Sequence, residues 1–215
     1  MKKNTFIKNL KILQREYKKW NAPVVTLVAH HSHDSFKILI STVLSTRTKD
    51  ETTTEAVKRL FKIAGTPKKL SSLPVSRIKK LIYPVGFYNV KAGHIKNIAQ
   101  YVVKHGVPDT REGLMKFKGV GRKVANLVLA LGFNKPAICV DVHVHRISNR
   151  LGFIKTKTPF ETEMALMEKV PKRYWNIIND LMVAFGQTIC RPLSPKCDTC
   201  PLLRCSYKAR THVRS

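Results

Sequence analysis

Residues 117–141 read FKGVGRKVANLVLALGFNKPAICVD, and the fold turns on how that stretch is read. Gly119 and Gly121 flank Val120, so the backbone can turn tightly and a partner can come close, because neither glycine carries a Cβ. Apolar residues then recur at Val124, Leu127, Val128 and Leu131, the 3.6-residue period of a helix. A glycine turn that feeds a helix leaves unpaired N–H groups at the helix start, which is an anion site. Lys123 falls in the first turn of that helix. There the positive end of the dipole and the neighbouring Arg122 disfavour an ammonium ion and so favour a nucleophilic amine. Asp141 is the only acidic residue of the stretch. Taken alone, a Gly-Val-Gly turn with a solvated lysine is an ordinary link between helices. The remainder of the chain gives it weight.

Forty Lys and Arg against thirteen Asp and Glu leave a net charge of +27 on 215 residues. Solvated faces account for a few of these cations, but an excess of this size calls for a polyanionic partner. The chain has no long apolar run or basic amphipathic anchor, which favours nucleic acid over membrane and excludes a membrane-spanning class. The N-terminal MKKNTFIKNLKILQREYKKW lacks a continuous apolar core and a small-residue cleavage site, so it reads as an amphipathic helix (Phe6, Leu10, Leu13, Tyr17) rather than a signal peptide. The expected setting is intracellular, in cytoplasm or nucleoid.

Helical periodicity dominates from end to end and predicts an all-α chain. Phe36, Leu39, Ile40, Val43 and Leu44 form an apolar stripe with Asp34 as its N-cap, ending in the polar segment LSTRTKDE that carries Arg47. Further helices are expected around Val57–Phe61, Ile78–Ile82, Ile95–Val103 and Thr110–Lys116, the last capped by Asp109 with Glu112 three residues on. Thr158, Pro159 and Glu161 mark another start, and Trp175, Ile178, Leu181, Met182 and Phe185 a closing stripe. The segment YPVGFYNVKAGHI echoes the glycine turn and helix of residues 117–131. Breaks near Pro23 and residues 134–136 divide the chain into a helical domain over 28–135 and a second from 1–27 plus 136–215, with Lys123 and Asp141 expected to face a cleft between them.

Cys190, Cys197, Cys200 and Cys205 crowd into sixteen residues. In an intracellular chain such clustering points to metal rather than disulfides. Zinc sites with four cysteines usually show two close pairs, whereas one close pair with wider arms fits an iron–sulfur centre equally well, so spacing leaves the two even. Arg191 and Lys196 lie in the loop between the first two cysteines, where two readings stay open, a grip on phosphates or plain solvation. Cys139, between Ile138 and Val140, reads as a buried small hydrophobe. His143 and His145 stand two apart on a helix, where side chains diverge, and so do not make a metal pair.

FKGVGRKVANLVLALGF, then VDVHVHRISNRLG, then the four cysteines, together with LSTRTKD, closely resemble the endonuclease III family of helix-hairpin-helix DNA glycosylases. The resemblance covers nearly the whole chain. It implies a six-helix domain bearing the hairpin, a cluster domain built from both termini, and a [4Fe-4S] cluster held by Cys190, Cys197, Cys200 and Cys205, which breaks the tie with zinc. It implies removal of oxidised pyrimidines from double-stranded DNA followed by strand cutting through β-elimination, with Lys123 as nucleophile and Asp141 as the catalytic aspartate. The implied partner is duplex DNA with damaged bases or abasic sites, met by a monomer through Gly119, Val120, Gly121, Arg122, Arg47, Arg191 and Lys196. Three positions depart from the family pattern. Lys118 replaces the hairpin proline, Arg47 stands where many relatives have glutamine, and four residues rather than five precede the last cysteine.

The chain offers no nucleophilic triad, P-loop or acidic metal cluster for hydrolysis at phosphorus. Two alternatives stay open on sequence. A mismatch glycosylase of the same fold is one, although such relatives generally lack the lysine. A non-catalytic DNA-binding module with a four-cysteine zinc site is the other.

Overall fold

The computed structural model describes residues 1–20, 23–32 and 34–207, except the side chains of His30 and His31. Among these residues the regular structure is entirely helical, with no strand. Among the described residues, no helix is long and apolar enough to cross a membrane. The chain forms two compact units, Val24–Lys135 and Met1–Pro23 with Pro136–Ser215.

The first unit has six longer helices, α2 (Val24–Ser32), α3 (Ser35–Ser45), α4 (Asp50–Ala64), α6 (Val75–Ile82), α7 (Tyr88–His105) and α9 (Arg122–Gly132). Two short ones, α5 (Pro67–Ser72) and α8 (Arg111–Met115), lie between them. Helix α3 is buried from Ile38 through Leu44 with no exposed stripe, the mark of a central helix surrounded by others. Its start is sealed by Asp34, which accepts from the amides of Phe36 at 2.9 Å and Lys37 at 3.3 Å. Helix α5 opens at Thr66, whose hydroxyl accepts from Lys69 N, with Pro67 in the first turn.

One cap differs from expectation. Thr110, not Asp109, caps α8, accepting from Gly113 N at 3.1 Å. Asp109 instead pairs with Lys135 at 2.5 Å, and that contact lowers its carboxyl pKa. Adjacent Asp and Thr both favour an N-cap, and a partner distant in sequence claims the first.

The second unit holds α1 (Lys3–Glu16), α10 (Val142–Arg150), α11 (Pro159–Lys169) and α12 (Trp175–Thr188), with short 3-10 turns at Tyr17–Lys19 and Lys172–Tyr174. Phe6, Leu10 and Leu13 of α1 share one core with Ile147, Ile178, Met182 and Phe185. Phe6 stacks on Phe153 with ring centroids 3.8 Å apart. Asn9, 1% exposed, donates to Leu203 O and accepts from Leu203 N, both at 3.0 Å, and so fastens the cysteine-bearing segment to α1. Cys139 is buried at 1% exposure, as a small hydrophobe would be.

Candidate functional site

The hairpin between α8 and α9 is built for close approach. Val120 N donates to Phe117 O at 3.1 Å and the Val120 side chain is buried, so Gly119 and Gly121 are left exposed on either side. Gly119 has φ of 86°, and a Cβ there would lie 2.7 Å from Nδ1 of His94, so glycine is required twice over. Gly121 is different. Its φ of −91° suits any residue and a Cβ would meet nothing within 4 Å, so no contact inside the protein demands glycine. The space it leaves open is on the solvent side, where a ligand's backbone can sit. No side chain caps α9, which leaves that role at the helix start open to an anion. Arg111 Nε, bonded to Oδ1 of the fully buried Asn126 at 2.8 Å, ties α8 to α9 and fixes the turn. Phe117 meets Tyr101 edge to face, with centroids 5.1 Å apart, behind the exposed Lys118. Lys123 is exposed in the first turn of α9, and Arg122 beside it is partly buried.

Arg47 and Phe87 sit across a hollow in the same unit, lined also by Thr46, Lys91, His94 and Gly119. Both have left-handed backbones, with φ of 51° and 58°, which is uncommon for side chains of this size. The Arg47 guanidinium lies 5.9 Å from the Phe87 ring centroid, and Phe87 is 63% exposed. An exposed aromatic held beside an arginine offers a stacking face to a base. Sequence reasoning passed over Phe87, although its place in the echo of the glycine turn was a usable signal. It also passed over Lys91, which shares the helical spacing of buried Ile95, Ile98 and Val102.

Burial pulls the Lys91 pKa down from 10.5 to about 8. The unfolded chain therefore binds more protons than the native one between those values. Stability from this group rises with pH across that window, by at most about 1.4 kcal/mol per unit. Urea unfolding of wild type and Lys91→Met from pH 7.5 to 9.5 checks this, and the gap should move in favour of wild type as pH rises.

In the other unit, Asp141 is the N-cap of α10. Its Oδ1 accepts from the amides of His143 and Val144, both at 2.9 Å. With both bonds on one oxygen, Oδ2 is left to face a different partner. His145 bonds Thr162 through Nδ1 at 2.7 Å, and His143 Nδ1 lies 3.1 Å from Arg146, so neither histidine joins the other in a metal pair.

Cys190, Cys197, Cys200 and Cys205 line one pocket together with apolar residues such as Ile147, Leu151 and Phe185, and with Arg150, Lys196 and Tyr207. Burial pushes the Cys200 thiol pKa up, and the other three cysteines add to that. Four soft sulfur donors around an apolar hollow suit a thiolate-held metal centre. Among the described residues, no three His, Cys, Asp or Glu side chains form a ready site for a single metal ion. Arg150 braces the pocket, donating to Arg191 O at 2.6 Å, to Pro192 O at 2.7 Å and to Cys190 Sγ at 3.5 Å, with its guanidinium 4.3 Å from the Tyr207 ring centroid. Arg146 donates to Cys190 O at 2.8 Å from a half-buried position, and the desolvation lowers its own pKa. Arg191 and Lys196 are exposed on the same loop. Neither Arg146 nor Arg150 stood out in a chain with forty basic residues.

The family model described as "HhH-GPD superfamily base excision DNA repair protein" matches residues 40–172. Endonuclease III of Thermotoga maritima is 51% identical over 174 residues, which span 80% of this chain and 82% of that protein. Among solved structures, a non-covalent endonuclease III–DNA complex matches with a TM-score of 0.87 at 33% identity, covering 100% of both chains. A trapped endonuclease III–DNA covalent intermediate, an estranged-adenine complex, matches at 0.86 with 33% identity, covering 99% of each.

Proposed function

Because the chain belongs to the endonuclease III family of HhH-GPD base excision DNA repair proteins and is a DNA glycosylase, we propose that it is bifunctional, removing oxidised pyrimidines from duplex DNA and cutting the strand as an AP lyase. The observation that carries this reading is Lys123, an exposed amine two residues past a hairpin glycine that the fold itself does not need. The exposed Gly119 and Gly121, with Arg122, bind the phosphate backbone through amides and charge. A damaged nucleotide leaves the stack at a cost of roughly a few kcal/mol. Arg47 and Phe87 contact the disturbed stack, while Arg191 and Lys196 hold phosphates.

The Lys123 amine attacks C1′ and the base departs with its bonding electrons and a proton. The sugar ring opens to give a Schiff base. Loss of a proton from C2′ then expels the 3′ phosphate. The Asp141 carboxylate stabilises positive charge that develops on the sugar. We read Val24–Lys135 as the hairpin domain and the unit formed by both termini as the cluster domain. The acting form is a monomer.

Cys190, Cys197, Cys200 and Cys205 fit a [4Fe-4S] cluster as four thiolate donors. When bound, it would supply a rigid covalent staple for the loop that carries Arg191 and Lys196. Protein purified without oxygen should be brown and carry iron and acid-labile sulfide in equal amounts. Colourless, zinc-loaded protein would remove this part of the reading.

Borohydride added during reaction with a duplex holding one oxidised pyrimidine tests the chemistry. A covalent protein–DNA adduct is expected. Base release with no adduct would point to a monofunctional enzyme that uses water.

A further inference from the structure

The hollow beside Arg47 is lined by an ammonium that takes no part in the proposed chemistry. Lys91 is 6% exposed, and its Nζ donates to Leu44 O at 2.9 Å, Thr46 O at 2.5 Å and Thr48 Oγ1 at 3.4 Å. The two carbonyls lie at the C-terminal end of α3, where a helix leaves acceptors unpaired and the dipole is negative. Arg47, with its left-handed backbone, stands between Thr46 and Thr48, so the lysine grips the chain on both sides of it. Thr48 Oγ1 also accepts from Gly86 N at 3.1 Å. A Cβ on Gly86 would collide with the Arg47 carbonyl oxygen, so the two turns touch backbone to backbone just before Phe87.

We infer that Lys91 is a positioning residue for lesion recognition, its buried ammonium pinning the end of α3 to the start of α7 so that Arg47 and Phe87 are presented to DNA as one preformed unit. The inference rests on the DNA glycosylase reading and adds how two of its contacts are held. Burial opposes the charge, lowering the pKa to about 8, yet the ammonium keeps all three acceptors. It serves geometry. The charged and titratable side chains that share its hollow are Arg47, from the turn after α3, and His94, one turn further along α7. The hairpin contributes Gly119 alone. Above its pKa the amine keeps two donors for three acceptors and no charge to face the end of α3, so the pin slackens as pH rises.

The test measures fluorescence anisotropy with a duplex holding a tetrahydrofuran abasic analogue and with the same duplex undamaged, at matched salt. It compares wild type, Lys91→Met, Arg47→Ala and the double variant. Lys91→Met should lose about tenfold of the preference for the abasic duplex. It should bind the undamaged duplex within about twofold of wild type, with the same salt slope, and add nothing to Arg47→Ala. The wild-type preference should decline from pH 7 to 9, while that of Lys91→Met stays flat. Equal losses on both duplexes, losses that multiply in the double variant, or a pH decline shared by both proteins would overturn the inference. A wild type with no preference for the abasic duplex would overturn the DNA reading instead. Should Lys91→Met fail to fold, Thr48→Val removes one acceptor and the link to Gly86. The same selective loss at smaller size is then expected, and unchanged preference would sink the proposal.

Discussion

Lys123→Ala should abolish the borohydride adduct and lower strand cutting by on the order of 10³-fold or more, because no other group supplies the amine that becomes the Schiff base. The fold should not notice. Lys123 is exposed in the first turn of α9, and alanine is the better helix former, so unfolding free energy should stay within about 0.5 kcal/mol of wild type. Binding to undamaged duplex should fall only slightly, since the hairpin amides and the other basic side chains remain. The measurement is single-turnover cutting and trapping on one duplex, beside urea unfolding of the same two proteins. An adduct that persists at wild-type yield in Lys123→Ala would end the assignment of the nucleophile.

Asp141→Asn should lower single-turnover base release by about 10²-fold while leaving the fold nearly as stable. The substitution separates two roles that one carboxylate holds. As N-cap of α10, Asp141 uses Oδ1 for the amides of His143 and Val144, and an asparagine carbonyl oxygen caps almost as well. Only the favourable charge at the helix start is lost, worth about 0.3–1 kcal/mol. A cap with no further duty would therefore give an active variant. Asp141→Ala provides the contrast, since it removes the cap as well, at a cost of about 1 kcal/mol, and should be no less active than Asp141→Asn. Activity that follows stability across the pair, rather than the missing negative charge, would reduce Asp141 to a structural cap.

The parts of the fold legible in the sequence are those set by local pattern. The α9 period, the glycine turn ahead of it, and the caps at Asp34 and Thr158 all follow from residues within a few positions of one another. The shared pocket of four cysteines is anticipated by their spacing because the ligating loop is itself short. What escaped depends on distant partners. Phe6 on Phe153, Asn9 on Leu203 and Asp109 on Lys135 have no local signature. Charge hid the rest. Lys91, Arg59, Lys96 and Arg150 each donate to backbone carbonyls, so part of the basic excess that composition assigns to a polyanion holds helix ends and loops in place. The left-handed backbones of Arg47 and Phe87 were equally hidden, because neither residue type predicts that conformation.

The apolar face of α1 finds its core only against residues such as Ile178, Met182 and Phe185, which lie more than a hundred positions later. During synthesis the ribosome therefore releases Phe6, Leu10 and Leu13 long before anything exists to cover them. Residues 24–135, emerging in between, form a compact unit of their own and can fold while α1 waits. At roughly 5–20 residues per second that delay lasts on the order of ten seconds or more, a window in which a chaperone has an amphipathic segment to hold.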